Sequence, residues 1–215
     1  MRYLKKFATR NDVAVTALPN VVLIADSGEV LYNVQPQGVF IQHVDGSLYV
    51  PSEWGGKGFS NEDANGVAVI TDKASFVIAK MDYKAAWYST AFTPVDGITT
   101  TTNVEAAKAD FSGKANTAEI VKIDESEGAY ICANYIFPNG AIGYMPAAGE
   151  MNVAFEHKAM IDSALSIIGF SASAKEYWTS TQYSNGNAWS MSWESGTFRG
   201  IGKTSTIYVR PFTSL

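Results

Sequence analysis

The sequence predicts an α+β protein in two parts, a small β-rich N-terminal domain over residues 1–100 and a mixed domain over 101–215. Three observations predict it. Short β-like runs separated by turn residues fill 13–79, and helical spacing of apolar residues takes over from about 102 to 169. From residue 177 the apolar period becomes two, with Trp189, Met191 and Trp193 alternating with Ser190 and Ser192. At 215 residues the chain is long for one compact domain and comfortable for two small ones.

The first part contains β-like runs at 21–25, 30–33, 38–43, 48–50, 67–71 and 75–79. Asp26-Ser27-Gly28 and Asp45-Gly46 punctuate them as tight turns in which Gly supplies a positive φ. Residues 51–66, with Trp54-Gly55-Gly56 and the polar run 61–65, predict a loop. In the second part Asn103 is placed to cap a short helix through Ala109, which the stretch 110–114 ends. Residues 117–123 predict a turn or two of helix. A helix over 126–137 would put Ala129, Cys132, Ala133 and Ile136 on one core-facing side. The clearest helix, 153–168, aligns Met160, Ile161, Ala164, Leu165 and Ile168 and stops at Gly169, suited to a left-handed cap. The run 207–212 closes as a strand whose Pro211 places it at an edge or terminus.

Composition narrows the function. Hydrophobic residues at 47% suffice for a packed core, and a net charge of −5 argues against a nucleic-acid partner, since such binding rests on Lys and Arg displacing counterions. One cysteine, Cys132, excludes an internal disulfide and any Cys-based metal cage. No run of eighteen apolar residues predicts a membrane span, and polar residues 9–12 interrupt the N-terminal stretch before a Sec signal core forms.

The thirty residues 177–206 hold three Trp, eleven Ser or Thr, four Gly and only Glu194, Arg199 and Lys203 as charges. Rigid rings among adaptable hydroxyls compose a recognition surface of the kind antibodies use, not a reaction centre. With the aromatic face of the strand buried, Ser190 and Ser192 would face solvent beside the Gly-rich segment 196–202. Trp189 and Trp193 are assigned to the core, with Trp178 open to either role.

The segments DFSGKANT (110–117), GYMPAAGE (143–150), YWTST (177–181), NAW (187–189) and VRPF (209–212) together resemble the C-type-lectin-fold variable proteins of diversity-generating retroelements, in the branch related to the formylglycine-generating enzyme. The resemblance covers about 100–215. It implies a C-type-lectin-like domain that binds a protein or glycan receptor on a cell surface, as part of a phage tail or a bacterial surface protein. Its C-terminal region, about 177–207, would be rewritten by adenine-directed reverse transcription. The positions that suit substitution are Tyr183, Ser184, Asn185, Ser190, Ser192, Ser195, Thr197, Arg199, Gly200, Ile201, Gly202, Thr204, Ser205 and Thr206. The stretches 18–21 and 63–70 are similar to leader regions of such proteins, which implies an anchoring or assembly role for the N-terminal part. A homotrimer or assembly on a virion would supply avidity.

Competing chemistry is weaker. Gly200-Ile201-Gly202-Lys203-Thr204 imitates the end of a phosphate loop, but Thr197 stands where its first Gly belongs and no helix can follow before Pro211. The Glu-Pro-Asn, Gln-Pro-Asp and Trp-Asn-Asp signatures of calcium-dependent lectins are missing, and Asp124, Glu125 and Glu127 suit a solvated helix start better than a metal site. Cys132 lacks the partner that formylglycine formation requires. His43 and His157 carry no nucleophile-elbow sequence. No catalytic residue, metal or cofactor is therefore assigned, and the sequence predicts a protein that is not an enzyme. A fixed-specificity adhesin or carbohydrate-binding module on the same scaffold is the alternative.

Overall fold

The computed structural model describes residues 37–89, 94–123, 126–171 and 175–215, and the backbone alone of 21–24 and 30–34. The turn at 26–28 and the acidic residues Asp124 and Glu125 lie outside the described residues. In chain order the strands are β1 (Val21–Ile24), β2 (Val30–Val34), β3 (Gly38–His43), β4 (Leu48–Tyr49), β5 (Ala64–Ile70), β6 (Ser75–Ile78), β7 (Tyr83–Ala85), β8 (Glu176–Gln182), β9 (Asn187–Ser192), β10 (Phe198–Gly202), β11 (Ile207–Val209) and β12 (Phe212–Ser214). The helices are α1 (Val104–Lys108), α2 (Gly113–Ile120), α3 (Gly128–Ala133), α4 (Ala148–Glu156) and α5 (Lys158–Ile167), with a 3-10 helix at Pro51–Lys57.

Beyond the β1–β2 hairpin, the described residues form two five-stranded sheets, ordered β12-β6-β5-β3-β4 and β10-β9-β8-β11-β7. Among the described strands every pairing is antiparallel except β11 with β8. The first sheet buries both faces. Val39, Ile41, Val67, Val69, Phe76 and Ile78 pack toward α4, α5 and the second sheet, while Phe40, Ala68, Ile70 and Val77 cover Phe137. Continuous burial along β5 accounts for its nearly unbroken apolar run from Val67 to Ile70.

The sheets do not divide at residue 100. β7 joins the second sheet through β11, and β12 returns to close the first against β6. The strand expected over 207–212 is therefore broken at Arg210-Pro211, where the chain changes sheets and the Pro211 carbonyl accepts the Ala79 N–H at 2.9 Å. At this crossing Asp82 receives Lys175 Nζ, Tyr177 Oη and an Arg210 guanidinium nitrogen at 2.9, 2.6 and 2.9 Å. Burial raises the Asp82 pKa, but the bonds from Tyr177 and Lys175 and the charge of Arg210 outweigh it and hold the carboxyl below its usual range.

Several expectations hold locally. Asn103 caps α1 by accepting the Glu105 and Ala106 N–H groups, and Gly46 and Gly169 adopt φ of 91° and 81°. Others need correction. Residues 51–66 hold a 3-10 helix and the start of β5 instead of a continuous loop. The helix over 126–137 shortens to α3, which ends at Ala133 with Asn134 as its C-cap; Phe137 then takes the core place and Ile136 is 69% exposed. The helix over 153–168 is two helices, α4 and α5. His157 Nδ1 lies 3.0 Å from the Val153 carbonyl that its own N–H would otherwise use, and the helical phase restarts there. Ile161, Ala164, Leu165 and Ile168 are buried as expected, whereas Met160 is 49% exposed.

Candidate ligand-binding surface

The β9–β10 hairpin carries most of the candidate positions, and buried indoles hold it. Trp189 Nε1 donates to the Thr101 carbonyl at 2.8 Å, Trp193 Nε1 to Asp162 Oδ1 at 2.9 Å, and Trp178 Nε1 to the Ala85 carbonyl at 3.1 Å. All three rings are buried, which settles Trp178 as core. Each indole thus removes apolar area from water while keeping its N–H paired. Together they tie the second sheet to the 99–102 segment and to α5, and link β8 to β7 within it.

The alternation places Trp189, Met191 and Trp193 on one face, as expected, but the opposite face is not open. Trp178 lies across from Ser190, and Ala188 and Ile201 join it in a second core with Trp87, Tyr88 and Ile120. Ser190 is consequently buried at 0% exposure, a correction to its expected place in solvent. Its hydroxyl donates to Glu176 Oε1 at 2.6 Å, and Arg199 Nε donates to the same oxygen at 2.6 Å. The Arg199 guanidinium, exposed beyond this bridge, holds the Glu176 carboxyl below its usual range. Ser190 is a buried post under Arg199.

The remaining candidate positions fall at two ends of the hairpin, separated by the six residues of β9, roughly 17 Å at strand rise. At one end the turn carries Ser192, Ser195 and Thr197, whose hydroxyls bond within the turn. Ser195 Oγ donates to Thr197 Oγ1 at 2.9 Å, and Ser192 Oγ accepts the Ser195 N–H at 3.4 Å. At the other end lie Tyr183, Ser184, Asn185, Ile201, Gly202, Thr204, Ser205 and Thr206, all half-buried or exposed. Gly200 sits under the Tyr183 ring, where a Cβ would meet Cγ and Cδ2 at 2.6 Å. Tyr183 in turn meets Trp189 edge-on, with ring centres 4.9 Å apart.

This second end rests on residues that sequence reasoning missed. Gln182, buried at the end of β8, accepts the Val95 N–H at 3.0 Å and Lys203 Nζ at 2.5 Å through Oε1, and donates through Nε2 to Thr100 Oγ1 at 2.8 Å. Its backbone also bonds to Thr99 and Thr101. Lys203 is fully buried with its ammonium 4.6 Å from the Trp87 ring centre, and burial lowers its pKa to about 8. The Lys203 carbonyl accepts the N–H groups of Trp87 and Tyr88. Segments 95–101, 183–187 and 203–206 are thereby fastened at one point. The threonine run 99–102 was the only local signal of this rim in the sequence.

Below the hairpin, the motif segments meet in a buried polar layer. Asp110 accepts Asn116 Nδ2 at 2.9 Å and Thr181 Oγ1 at 2.7 Å, and Thr181 Oγ1 accepts the Ala148 N–H. Glu150 accepts Tyr144 Oη at 3.0 Å and the Ala147 N–H at 2.7 Å; burial nevertheless pushes its pKa up to about 7. These are framework contacts under the surface. Cys132 is buried and its thiol pKa is pushed up by burial. His43 packs among Tyr49, Trp54 and Phe59, with Nδ1 3.0 Å from Asp45 Oδ1 in the following turn. Among the described residues no group of three or more His, Cys, Asp or Glu could hold a metal ion, and no helix is long and apolar enough to cross a membrane.

No protein-family model matches the chain, and no curated protein matches it. Among solved structures it is similar to a fimbrial protein from Bacteroides ovatus ATCC 8483, with a TM-score of 0.62 at 12% identity. The likeness covers 90% of this chain and 52% of that one, so the chain spans about half the length of its structural neighbour. At that identity the likeness is one of fold.

Proposed function

We propose that the protein is a non-catalytic, surface-displayed binding protein in which the second sheet presents a receptor-binding surface through the ends of the β9–β10 hairpin. One observation carries the reading: of the fourteen candidate positions only Ser190 is buried, while the indoles behind them are buried and hydrogen-bonded. Exposed side chains on a framework whose core lies elsewhere are exchanged at small cost in stability, typically within ~0.5 kcal/mol; Gly200, under the Tyr183 ring, and Ile201, packed on the second core, are the exceptions. That combination supports a C-type-lectin-like scaffold of the retroelement-diversified kind, with a protein or glycan receptor as ligand and a phage tail or bacterial surface as its place. Oligomerisation, as a trimer or on a particle, would raise weak single-site binding into avidity.

A fixed-specificity adhesin is the second reading, favoured by the fold likeness to a fimbrial protein. Sequencing the locus and its flanks across isolates separates the two. Diversification predicts a neighbouring reverse transcriptase, a near-copy template and substitutions at adenines in codons such as those of Asn185, Thr197, Thr204 and Thr206. One invariant coding sequence with no template sinks it and leaves the adhesin. Binding itself is tested by whether the full chain labels host cells, with combined alanines at those four positions abolishing the label without shifting the melting temperature. Unchanged labelling overturns the assignment of the surface.

A further inference from the structure

The two ends of the hairpin differ in one respect that bears on ligand chemistry. In the 192–197 turn all three hydroxyls have partners within the turn: Ser195 Oγ donates to Thr197 Oγ1, and Ser192 Oγ and Ser195 Oγ accept the Ser195 and Thr197 N–H groups. Between 100–102 and 183–186 lies an open depression of ≈ 780 Å³, within the size range of ligand sites, about 300–1,000 Å³. Among the described residues, the polar side-chain atoms of Thr102, Tyr183, Ser184 and Asn185 have no hydrogen-bond partner in the protein. No ionisable side chain apart from the Tyr183 phenol lines it.

We infer that this depression is a metal-independent subsite for a neutral, polyhydroxylated ligand, a sugar ring laid against Tyr183 and hydrogen-bonded by Thr102, Ser184 and Asn185. The inference rests on the binding reading above and specifies its ligand. An uncharged lining gives an anionic or cationic ligand no partner. A shallow floor without an apolar hole gives a protein partner no place for the buried anchor that dominates most protein interfaces. A sugar ring needs neither. Its apolar face covers an aromatic ring and its hydroxyls, each donor and acceptor, match unpaired Thr, Ser and Asn groups. The site is also rigid before binding: Gln182 fixes Thr100 and the backbone of 99–101, Trp189 fixes the Thr101 carbonyl, and Gly200 lets the Tyr183 ring lie flat upon it. Little ordering cost is left for the ligand to meet.

The test is a titration of the isotopically labelled full chain with neutral methyl glycopyranosides (glucoside, galactoside, mannoside and N-acetylglucosaminide) in EDTA, followed by amide NMR shifts. At least one sugar is expected to give saturable shifts at 100–102 and 183–186 with a Kd of about 1 mM, as a single shallow subsite allows. Tyr183→Ala should weaken it about tenfold through loss of the ring contact. Asn185→Ala, which removes only exposed atoms, should weaken it severalfold with an unchanged melting curve, so misfolding cannot produce the result. Absence of shifts at the depression for every sugar, shifts that require calcium, or shifts centred on 192–197 would each overturn the subsite. Cell labelling that persists in Asn185→Ala while no glycoside binds rejects the sugar subsite and keeps the binding reading.

Discussion

Replacing Gln182 by Ala tests whether one side chain fastens the three segments around the depression. The substitution removes the acceptor of the Val95 N–H and of the Lys203 ammonium, and the donor to Thr100. Val95 is buried, so its orphaned N–H costs about 1 kcal/mol; the ammonium loses a charge-assisted bond worth about 1.5–3 kcal/mol; Thr100 is exposed and rebonds to water. The expected loss is about 3 kcal/mol, read from urea unfolding of the full chain. Hydrogen exchange should quicken at Val95 and around 99–101 and 203, and stay unchanged in β3 and β5 of the other sheet. Gln182→Glu keeps the acceptor and should fall within about 1 kcal/mol of the parent. A loss below 1 kcal/mol for the alanine variant, with exchange at 95–101 unaltered, would refute the idea that Gln182 joins the segments.

Three further outcomes follow from packing and charge. Glu150, raised by burial to about 7 from an unfolded value near 4.5, keeps a proton in the native state that the unfolded chain releases, so its contribution to stability declines as pH rises from about 4.5 to 7. At about 1.4 kcal/mol per unit the decline totals about 3 kcal/mol, and Glu150→Gln should flatten it in urea melts across that range; a parallel slope in both proteins rejects the assignment. Gly200→Ala drives a methyl into the Tyr183 ring and should cost about 1–3 kcal/mol in a thermal melt, whereas full tolerance would show that Tyr183 is free to move. Cys132, buried with its thiol pKa raised, should resist thiol reagents in the native protein and react on unfolding; rapid native labelling would contradict its place in the core.

The parts of the fold legible in the sequence are those whose cause is local. The apolar runs at 38–43 and 75–78, the Asn103 cap, the positive φ at Gly46 and Gly169 and the burial of Trp189 and Trp193 each follow from residues within a turn or a strand of one another. What was not legible arises from pairing at a distance. Tyr83–Ala85 has no apolar period and is a strand because β11 lies beside it. Ser190 alternates correctly with its neighbours, yet alternation reports only that one face is buried and is silent on whether another segment covers the second. Trp87, Tyr88 and Ile120 supply that cover. The candidate surface was half legible: its composition marked 177–206, but Gln182 meets Thr100 across 82 residues and Val95 across 87, a link no window of sequence contains.

The return of β12 to β6 bears on how errors in the exposed hairpin are handled. A premature stop or frameshift anywhere from 183 to 206 yields a product without β11 and β12, leaving the backbone edge of β6 and the inner side of β7 bare. Such a fragment is prone to aggregation and to proteolysis. Altered length in the hairpin is thus far costlier than an altered exposed side chain, because only chains translated through it to β12 complete both sheets.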